Sequence, residues 1–175
     1  MDGESSSSSW PAETAGSWFV IRTRPRHERI LARDLRARGV AHFLPLVRAA
    51  QVYGGYQASV ELPVFPTYLF LRGELDDVHT AHRTDRVAEV IPVPDQSQLD
   101  AELRNVHAAL LADAPLAPVP YVRAGVRARV REGPFAGLHG VLDDVTRRDR
   151  IILQVQALGR AVSLELQGSA VEVME

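Results

Sequence analysis

Cysteine is absent from the 175-residue chain, and so is lysine. Without cysteine, disulfides and thiolate metal sites are excluded, which is usual for proteins of a reducing compartment. Long apolar runs are also absent, because Arg or Asp interrupts them well short of the length of a transmembrane helix. The N-terminus lacks the basic and apolar regions of a secretory signal. We therefore expect a cytoplasmic protein with no membrane span.

The absence of lysine makes all 20 basic residues arginines, while the net charge is only −2. This balance argues against a global electrostatic attraction to nucleic acid. A GC-rich genome would favour arginine without any functional cause. Arginine also binds phosphate through a bidentate fork and stacks on bases, which lysine does not. Both explanations stay open at this point.

Catalytic motifs are scarce. The chain has no glycine-rich phosphate-binding loop, no nucleophile elbow and no zinc-protease motif. His79 and His82 lie three residues apart on a predicted helix, but no third ligand follows at a set spacing. We predict a polar helix surface there, with no metal, no cofactor and no enzymatic activity. An enzyme that uses these two histidines stays as an alternative, which metal analysis of the purified protein would test.

Composition divides the chain into four segments. Residues 1–16 are serine-rich and predicted to be disordered. Residues 113–120 form a linker in which three prolines favour an extended spacer. Between them, strand signals at 18–22, 40–47, 61–72 and 87–93 alternate with helix signals at 26–38, 76–84 and 96–112. This order predicts that residues 17–112 form an α+β domain, an antiparallel sheet flanked by helices, with a loop or hairpin tip at 51–59.

The fourth segment, residues 121–175, has five short β-forming runs, at 126–131, 141–145, 151–155, 161–166 and 170–173. Polar turns at 146–150, 158–159 and 167–168 separate the later runs, so the segment predicts a small all-β barrel. The pattern Val126-x-x-x-Val130-x-x-Gly133-Pro-Phe-Ala-Gly137-x-x-Gly140 resembles the KOW motif, which begins SH3-like barrels. Gly133 and Gly137 would take positive φ in its turn, and Gly140 would allow close backbone packing.

Aromatic and proline residues are concentrated in Glu61-Leu-Pro-Val-Phe-Pro-Thr-Tyr-Leu-Phe-Leu-Arg72. On a strand over this stretch, one face holds Phe65, Thr67, Leu69 and Leu71, and the other holds Pro66, Tyr68 and Phe70. Both faces are therefore apolar. Either the strand is sandwiched between two layers, or one of its faces binds a partner.

Part of this stretch, Pro63-Val-Phe-Pro-Thr-Tyr-Leu-Phe-Leu71, resembles the signature Pro-Leu-Phe-Pro-Gly/Asn-Tyr-Leu/Val-Phe-Val of NusG-type transcription elongation factors. Trp18-Phe-Val-Ile opens the first domain as in that family. The domain order and the proline-containing linker also match, so the resemblance covers about residues 17–175.

Two further segments bear on the position within the family. Val78-His79-Thr80-Ala81 resembles the Ile-His-Thr-Thr of RfaH, a specialised paralogue. Leu158-Gly-Arg160-Ala-Val-Ser-Leu-Glu-Leu resembles the housekeeping factor's Phe-Gly-Arg-Ala-Thr-Pro-Val-Glu-Leu, with Leu158 in place of the aromatic residue.

The resemblance implies a monomeric, non-catalytic elongation and antitermination factor. It implies service to a specialised long operon, such as one for polysaccharide or secondary-metabolite (for example antibiotic) biosynthesis. His79 and Thr80 would contact the gate loop of the RNA polymerase β subunit. The resemblance assigns Leu69 and Leu71 to the domain core and leaves Tyr68 and Phe70 as an apolar surface for a partner. The β′ clamp helices would dock on an apolar face that is formed or supported by Phe65, Pro66, Tyr68 and Phe70.

The resemblance also implies contacts with nucleic acid and with further proteins. The basic residues expected to meet the non-template DNA strand are Arg24, Arg26, Arg29 and Arg86. Ribosomal protein S10 or Rho would bind the second domain at Phe135, Leu158 and Arg160.

Two alternatives concern the second domain. Because β-branched residues and glycine turns fill it, we predict a stable barrel without the refolding to a helical hairpin known in RfaH, and a helix-dominated circular dichroism spectrum of residues 121–175 would contradict this. The alternative function is a KOW-type RNA-binding or ribosome-associated protein, which predicts strong, salt-dependent binding to bare RNA.

Overall fold

The computed structural model describes residues 10–11, 15–166 and 171–175. Most of the predicted disordered tail, the predicted turn at 167–168 and residue 170 of the last predicted strand lie outside these residues. The chain divides into two compact units, one up to Gln96 and one from Ser97. This division falls after the first residue of the long third helix, whereas the predicted domain boundary follows that helix. Among the residues described, no helix is long and apolar enough to cross a membrane.

Among the residues that the structure describes, the first unit contains two helices and six strands. Their bounds are β1 Ser17–Thr23, α1 Glu28–Ala37, β2 His42–Phe43, β3 Leu46–Tyr53, β4 Tyr56–Pro63, β5 Tyr68–Gly73, α2 Leu75–His82 and β6 Val87–Ile91. Four of the strands form an antiparallel sheet in the order β2-β5-β1-β6. The predicted antiparallel sheet with flanking helices is thus confirmed.

One face of this sheet holds the core of the first unit. Leu69 and Leu71 of β5 pack with Ile21 of β1 in a buried cluster. Helix α1 adds Leu31 and Leu35 to the same cluster, as their helical spacing requires. Helix α2 contributes Val78 and Ala81. The prediction that Leu69 and Leu71 face the domain core is confirmed.

Strands β3 and β4 form a separate two-stranded hairpin. The predicted strand at 40–47 is broken, because β2 ends at Phe43 and β3 begins at Leu46. The predicted loop at 51–59 is largely strand, since pairing continues up to Tyr53 and Tyr56. Gly54 and Gly55 have φ of 53° and 88°, as a two-residue hairpin turn requires. Of the loop predicted at 51–59, only the two-residue turn at Gly54 and Gly55 lies outside the strands.

The described part of the second unit combines one long helix with six short strands and one 3₁₀ turn at Gln156–Leu158. Their bounds are α3 Gln96–Leu111, β7 Ala117–Val119, β8 Val126–Val130, β9 His139–Leu142, β10 Arg150–Val155, β11 Arg160–Glu165 and β12 Val171–Val173. The strand order is β12-β8-β9-β10-β11-β7, and within the described part of the chain this order does not close into a ring. Each of the five predicted β runs overlaps a strand, but the run predicted at 141–145 is displaced, because β9 begins at His139 and ends at Leu142. A closed barrel is not observed among the described residues.

The predicted proline linker is partly built into this sheet. Residues 117–119 form the edge strand β7, in which Pro118 lies opposite Val162 of β11. An edge strand tolerates proline because its missing N–H can face outward. Within the predicted extended segment at 113–120, the structure thus has an edge strand that the sequence did not indicate.

The glycine turn between β8 and β9 has the predicted backbone. Gly133 and Gly137 have φ of 89° and 94°. A side chain at Gly140 would place its Cβ 2.5 Å from the carbonyl oxygen of Ile152. Glycine is therefore required there by close packing of β9 on β10, as predicted.

Candidate functional site

The second face of the four-stranded sheet carries the aromatic residues singled out in the sequence. Because Tyr68 lies opposite Arg22 and Phe70 opposite Val20, these four side chains share one face. Phe70 also lies opposite Phe43 of β2, and their ring centroids are 6.4 Å apart. The predicted grouping of Tyr68 with Phe70 is therefore confirmed by the strand register.

Phe70 is fully buried, and Phe65 is only 3% exposed. Their rings meet edge to face with centroids 6.4 Å apart. The prediction that Phe65 shares the face of Leu69 and Leu71 is therefore wrong, because the strand predicted over 61–72 is interrupted between Pro63 and Tyr68. The expectation that Phe70 lies on an exposed docking face is wrong, because Phe43 and Phe65 enclose it in an aromatic cluster. Phe65 and Phe70 can support a docking surface from beneath, but they do not present one.

The exposed edge of this aromatic cluster is formed by Pro66, which is exposed, and Tyr68, which is half-buried. Tyr68 stands beside Arg22, whose guanidinium forms a 2.9 Å ion pair with Glu89 of β6. The surface thus joins an aromatic ring and a proline ring to a charged pair. Such a mixture is typical of protein-binding surfaces, where aromatic and arginine side chains are enriched.

A tight turn holds Pro66 and Tyr68 in place. The Tyr68 N–H donates to the Phe65 carbonyl at 3.1 Å, and the Thr23 N–H donates to the Thr67 carbonyl at 2.7 Å. Thr67 has φ of 71°, a left-handed conformation that β-branched residues rarely adopt. The buried carboxylate of Glu28 in α1 accepts the Thr67 N–H at 2.7 Å. Helix α1 therefore fixes the conformation of the turn.

Sequence reasoning missed Glu28 as a positioning residue. A glutamate in the first turn of a helix is explained by the helix dipole alone, so its type carries no sign of a second role. In the sequence, Glu28 differs from its neighbours by being an acidic residue in a segment that is rich in arginine. Arg22 was missed for a similar reason, because an arginine at a strand end usually has no specific partner.

Helix α2 presents the two residues expected to contact a second surface. His79 is exposed. Thr80 is half-buried, and its hydroxyl donates to the carbonyl of Asp76 at 3.0 Å. Opposite them, Val78 and Ala81 are buried in the core cluster with Leu69 and Leu71. His79 is consequently held at a fixed position relative to the strand that carries Tyr68. His82 is also exposed, and the part of the chain that the structure describes contains no cluster of three metal-ligating side chains.

The arginines predicted to bind DNA lie close together in the first unit. The Arg24 N–H donates to the Arg86 carbonyl at 3.0 Å, which joins the segments after β1 and before β6. Arg24 and Arg26 lie in the turn before α1 rather than on the helix, and Arg26 has φ of 64°. The prediction that Arg26 begins the helix is therefore wrong.

Three of these arginines form ion pairs with carboxylates of the same unit. Arg24 contacts Asp85 at 2.9 Å, Arg29 contacts Glu61 at 3.6 Å and Arg86 contacts Asp34 at 3.7 Å. The Arg24 and Arg29 side chains are each about half exposed, at 51% and 58%. Exposed pairs of this kind are weak and are screened by salt. Phosphate groups can therefore compete for these guanidinium groups.

In the second unit, the residues expected to bind a further protein lie in two hairpin connections. Phe135 is in the β8–β9 turn, and Leu158 and Arg160 flank Gly159 between β10 and β11. Because β8 and β10 are each antiparallel to β9, these two connections lie at the same end of the sheet. Phe135 and Leu158 are half-buried and Arg160 is exposed.

Comparison with known proteins identifies a family for this fold. The family described as "NusG: Transcription termination factor nusG" matches residues 16–106, just over half of the chain. The transcription termination/antitermination protein NusG of Neisseria meningitidis serogroup B is 27% identical over 173 residues, which cover 89% of this chain and 96% of that protein. The NusG protein of Pseudomonas aeruginosa is 29% identical over 178 residues, covering 90% of this chain and 98% of that protein. A solved structure, "Domain interaction in Thermotoga maritima NusG", is 20% identical with a TM-score of 0.49, covering 91% of this chain and 97% of that one.

Proposed function

The chain belongs to the NusG family of transcription termination factors, and we propose that it is an elongation and antitermination factor that binds RNA polymerase and suppresses pausing and termination. The proposal includes no catalytic step. Its central observation is the turn in which Glu28 fixes Thr67 and thereby presents Pro66 and Tyr68 above a buried aromatic cluster.

The first proposed contact is between this turn and the clamp helices of the polymerase β′ subunit. Pro66 and Tyr68 are the side chains that reach the partner, while Phe65 and Phe70 form a rigid support below them. Rigid aromatic anchors favour binding because little side-chain entropy is lost. Arg22 and Glu89, which pair beside Tyr68, form the polar rim of the same contact.

The second proposed contact is between α2 and the gate loop of the β subunit, through His79 and Thr80. Because α2 packs on the same core as β5, the two contacts are held at a fixed separation. A rigid factor that touches both sides of the polymerase cleft binds the closed clamp better than the open one. Such differential binding shifts the polymerase toward its closed, processive state.

The third proposed contact is with the non-template DNA strand, through Arg24, Arg26, Arg29 and Arg86. This contact is proposed because these guanidinium groups cluster around the β1–α1 turn. Arginine contacts single strands by pairing with phosphates and by stacking on bases. The exposed carboxylate of Asp85 lowers the net charge of the surface, so binding should be moderate without polymerase.

The second unit is proposed to bind ribosomal protein S10 or Rho through Phe135, Leu158 and Arg160, whose connections lie at one end of its sheet. We also propose a specialised target, a long biosynthetic operon, rather than general housekeeping use. This part rests on the RfaH-like segment at Val78–Ala81.

A single-round transcription assay on a template with a pause site and a terminator tests the function. The protein should shorten the pause and increase readthrough, and the Tyr68→Ala variant should do neither. A protein that changes neither pausing nor readthrough at saturating concentration would refute the proposal. As a matched control, Tyr56→Ala removes an exposed tyrosine of the hairpin tip and should act like the wild type.

A further inference from the structure

The β3–β4 hairpin has a polar face that the proposed function does not use. Its register pairs Arg48 with Glu61 and Ala50 with Ser59, so the side chains of these residues lie on the same side of the hairpin. Arg29 of α1 approaches this side from the adjacent helix. Together with Val60, the residues Arg29, Arg48, Ser59 and Glu61 line an open cleft of about 570 Å³.

The cleft brings together groups that recognise an anion. Arg29 donates from Nη1 to the Glu61 carbonyl at 3.4 Å, and its Nη2 lies 3.6 Å from the Glu61 carboxylate. These contacts hold the Arg29 guanidinium at the cleft, although 58% of its side chain stays exposed. Arg48 supplies a second guanidinium and Ser59 a hydroxyl donor, and both residues are exposed.

The charges of the cleft match one phosphodiester. Two guanidinium groups and one carboxylate leave a net charge of +1, which a single backbone phosphate would neutralise. Glu61 is the better covered member of its pair, with 25% of its side chain exposed. The Glu61 carboxylate and carbonyl accept from the Arg29 guanidinium, and a phosphate would compete with them for the same donors.

We propose that this cleft binds a phosphate of the DNA backbone, with Arg48 and Ser59 as contact residues and Glu61 as a competitor that limits affinity. This rests on the proposed function, because it continues the arginine surface of the β1–α1 turn onto the hairpin through Arg29. The hairpin then acts as a second wall that holds the strand against α1.

Fluorescence anisotropy of the full chain with a labelled single-stranded DNA tests the cleft. Arg48→Ala should weaken binding by about tenfold, as for loss of one charged hydrogen-bonded contact. It should also reduce the slope of log affinity against log salt by about 0.7, the value for one phosphate of a single strand. Ser59→Glu should weaken binding by adding a carboxylate to the cleft. Glu61→Gln should strengthen binding.

Two control variants distinguish phosphate binding at the cleft from a general effect of the net charge on DNA affinity. Arg147→Ala in the second unit and Glu132→Gln change the net charge by the same amounts at exposed positions outside the cleft, and both should leave affinity within about twofold of wild type, as expected for charges screened by salt. Arg24→Ala tests the arginine surface of the β1–α1 turn independently.

The outcomes distinguish the two proposals. If Arg24→Ala weakens binding while Arg48→Ala and Ser59→Glu behave like Arg147→Ala, the cleft is refuted and the DNA contact of the turn stands. If the wild type does not bind the strand, both are refuted. A loss that is equal for Arg48→Ala and Arg147→Ala would likewise overturn the cleft, since only total charge would then matter.

Discussion

The buried carboxylate of Glu28 accepts the backbone N–H of Thr67 at 2.7 Å, although 39 residues separate them in the chain. This bond ties the start of α1 to the turn before β5. The Glu28 carboxylate thus supplies the acceptor for the N–H of Thr67, a residue in the left-handed conformation. The conformation of the exposed edge formed by Pro66 and Tyr68 therefore depends on a residue that is itself buried.

Glu28→Ala should lower the free energy of unfolding by about 2 kcal/mol, because a part-buried donor loses its charged acceptor. Glu28→Gln should cost less, since its amide oxygen can still accept the Thr67 N–H. Urea unfolding followed by tryptophan fluorescence measures this, as both tryptophans, Trp10 and Trp18, lie in the first unit. Equal stability of Glu28→Ala and wild type would show that the bond does not hold the turn.

Thr67→Gly should raise the free energy of unfolding by about 1 kcal/mol, because glycine adopts positive φ without the steric penalty of a β-branched residue. The related NusG-type signature carries glycine or asparagine at this position, which agrees with the strain. Thr80→Gly in α2 is the matched control and should lower stability by about 1 kcal/mol, the usual cost of glycine within a helix. Destabilisation by both variants would indicate that Thr67 makes a contact that outweighs its strain.

Burial, opposed in part by the hydrogen bond to the Val40 carbonyl, lowers the pKa of His42 below its ordinary value. The unfolded chain then binds a proton more readily than the folded one. The stability that burial of neutral His42 permits is thus fully present above the unfolded pKa of about 6.5. It is lost as the pH falls through and below that value. We expect the first unit to be less stable at pH 5.5 than at pH 7.5.

His42→Gln should reduce this pH dependence, because glutamine does not titrate and can still donate to the Val40 carbonyl. The control is His82→Gln, which replaces an exposed histidine of α2 and should leave the pH dependence close to that of the wild type. Urea midpoints at the two pH values, read by tryptophan fluorescence, provide the measurement. The same pH dependence in His42→Gln and wild type would exclude His42 as its source.

The local sequence pattern was sufficient to predict the helices and the four-stranded antiparallel sheet of the first unit. The order of helix and strand signals predicted the antiparallel sheet with its helices, and strand alternation separated Leu69 and Leu71 from Tyr68 and Phe70. The alternation of side chains along a strand does not show whether another part of the same chain covers a second apolar face. For this reason Phe70 was expected at the surface. Its burial depends on Phe43, which is 27 positions earlier in the chain and adjacent only through the β2–β5 pairing.

The same limit applies to the candidate site. The aromatic signature predicted Pro66 and Tyr68, but the same signature also placed the buried Phe70 at the surface, so residue type alone does not separate the exposed edge from its support. Glu28 and Arg48 were not predicted, since each acquires its role from a neighbour that is distant in sequence, Thr67 for one and Arg29 for the other. The tail shows a related case, because the Trp10 ring packs 5.3 Å from Phe43 within a segment predicted to be disordered.

The central claim is that Pro66 and Tyr68 dock on RNA polymerase. Phe70→Ala is unsuited to test it, because truncating a fully buried phenylalanine costs about 3–5 kcal/mol of stability by itself. The most direct measurement is the affinity of core RNA polymerase for the wild type, for Pro66→Ala plus Tyr68→Ala, and for the hairpin-tip control Tyr53→Ala plus Tyr56→Ala. We predict a loss of at least about thirtyfold for the first double variant, as for a hot-spot contact of 2 kcal/mol or more, with wild-type affinity in the control. Undiminished polymerase binding by the Pro66 and Tyr68 double variant would contradict the account.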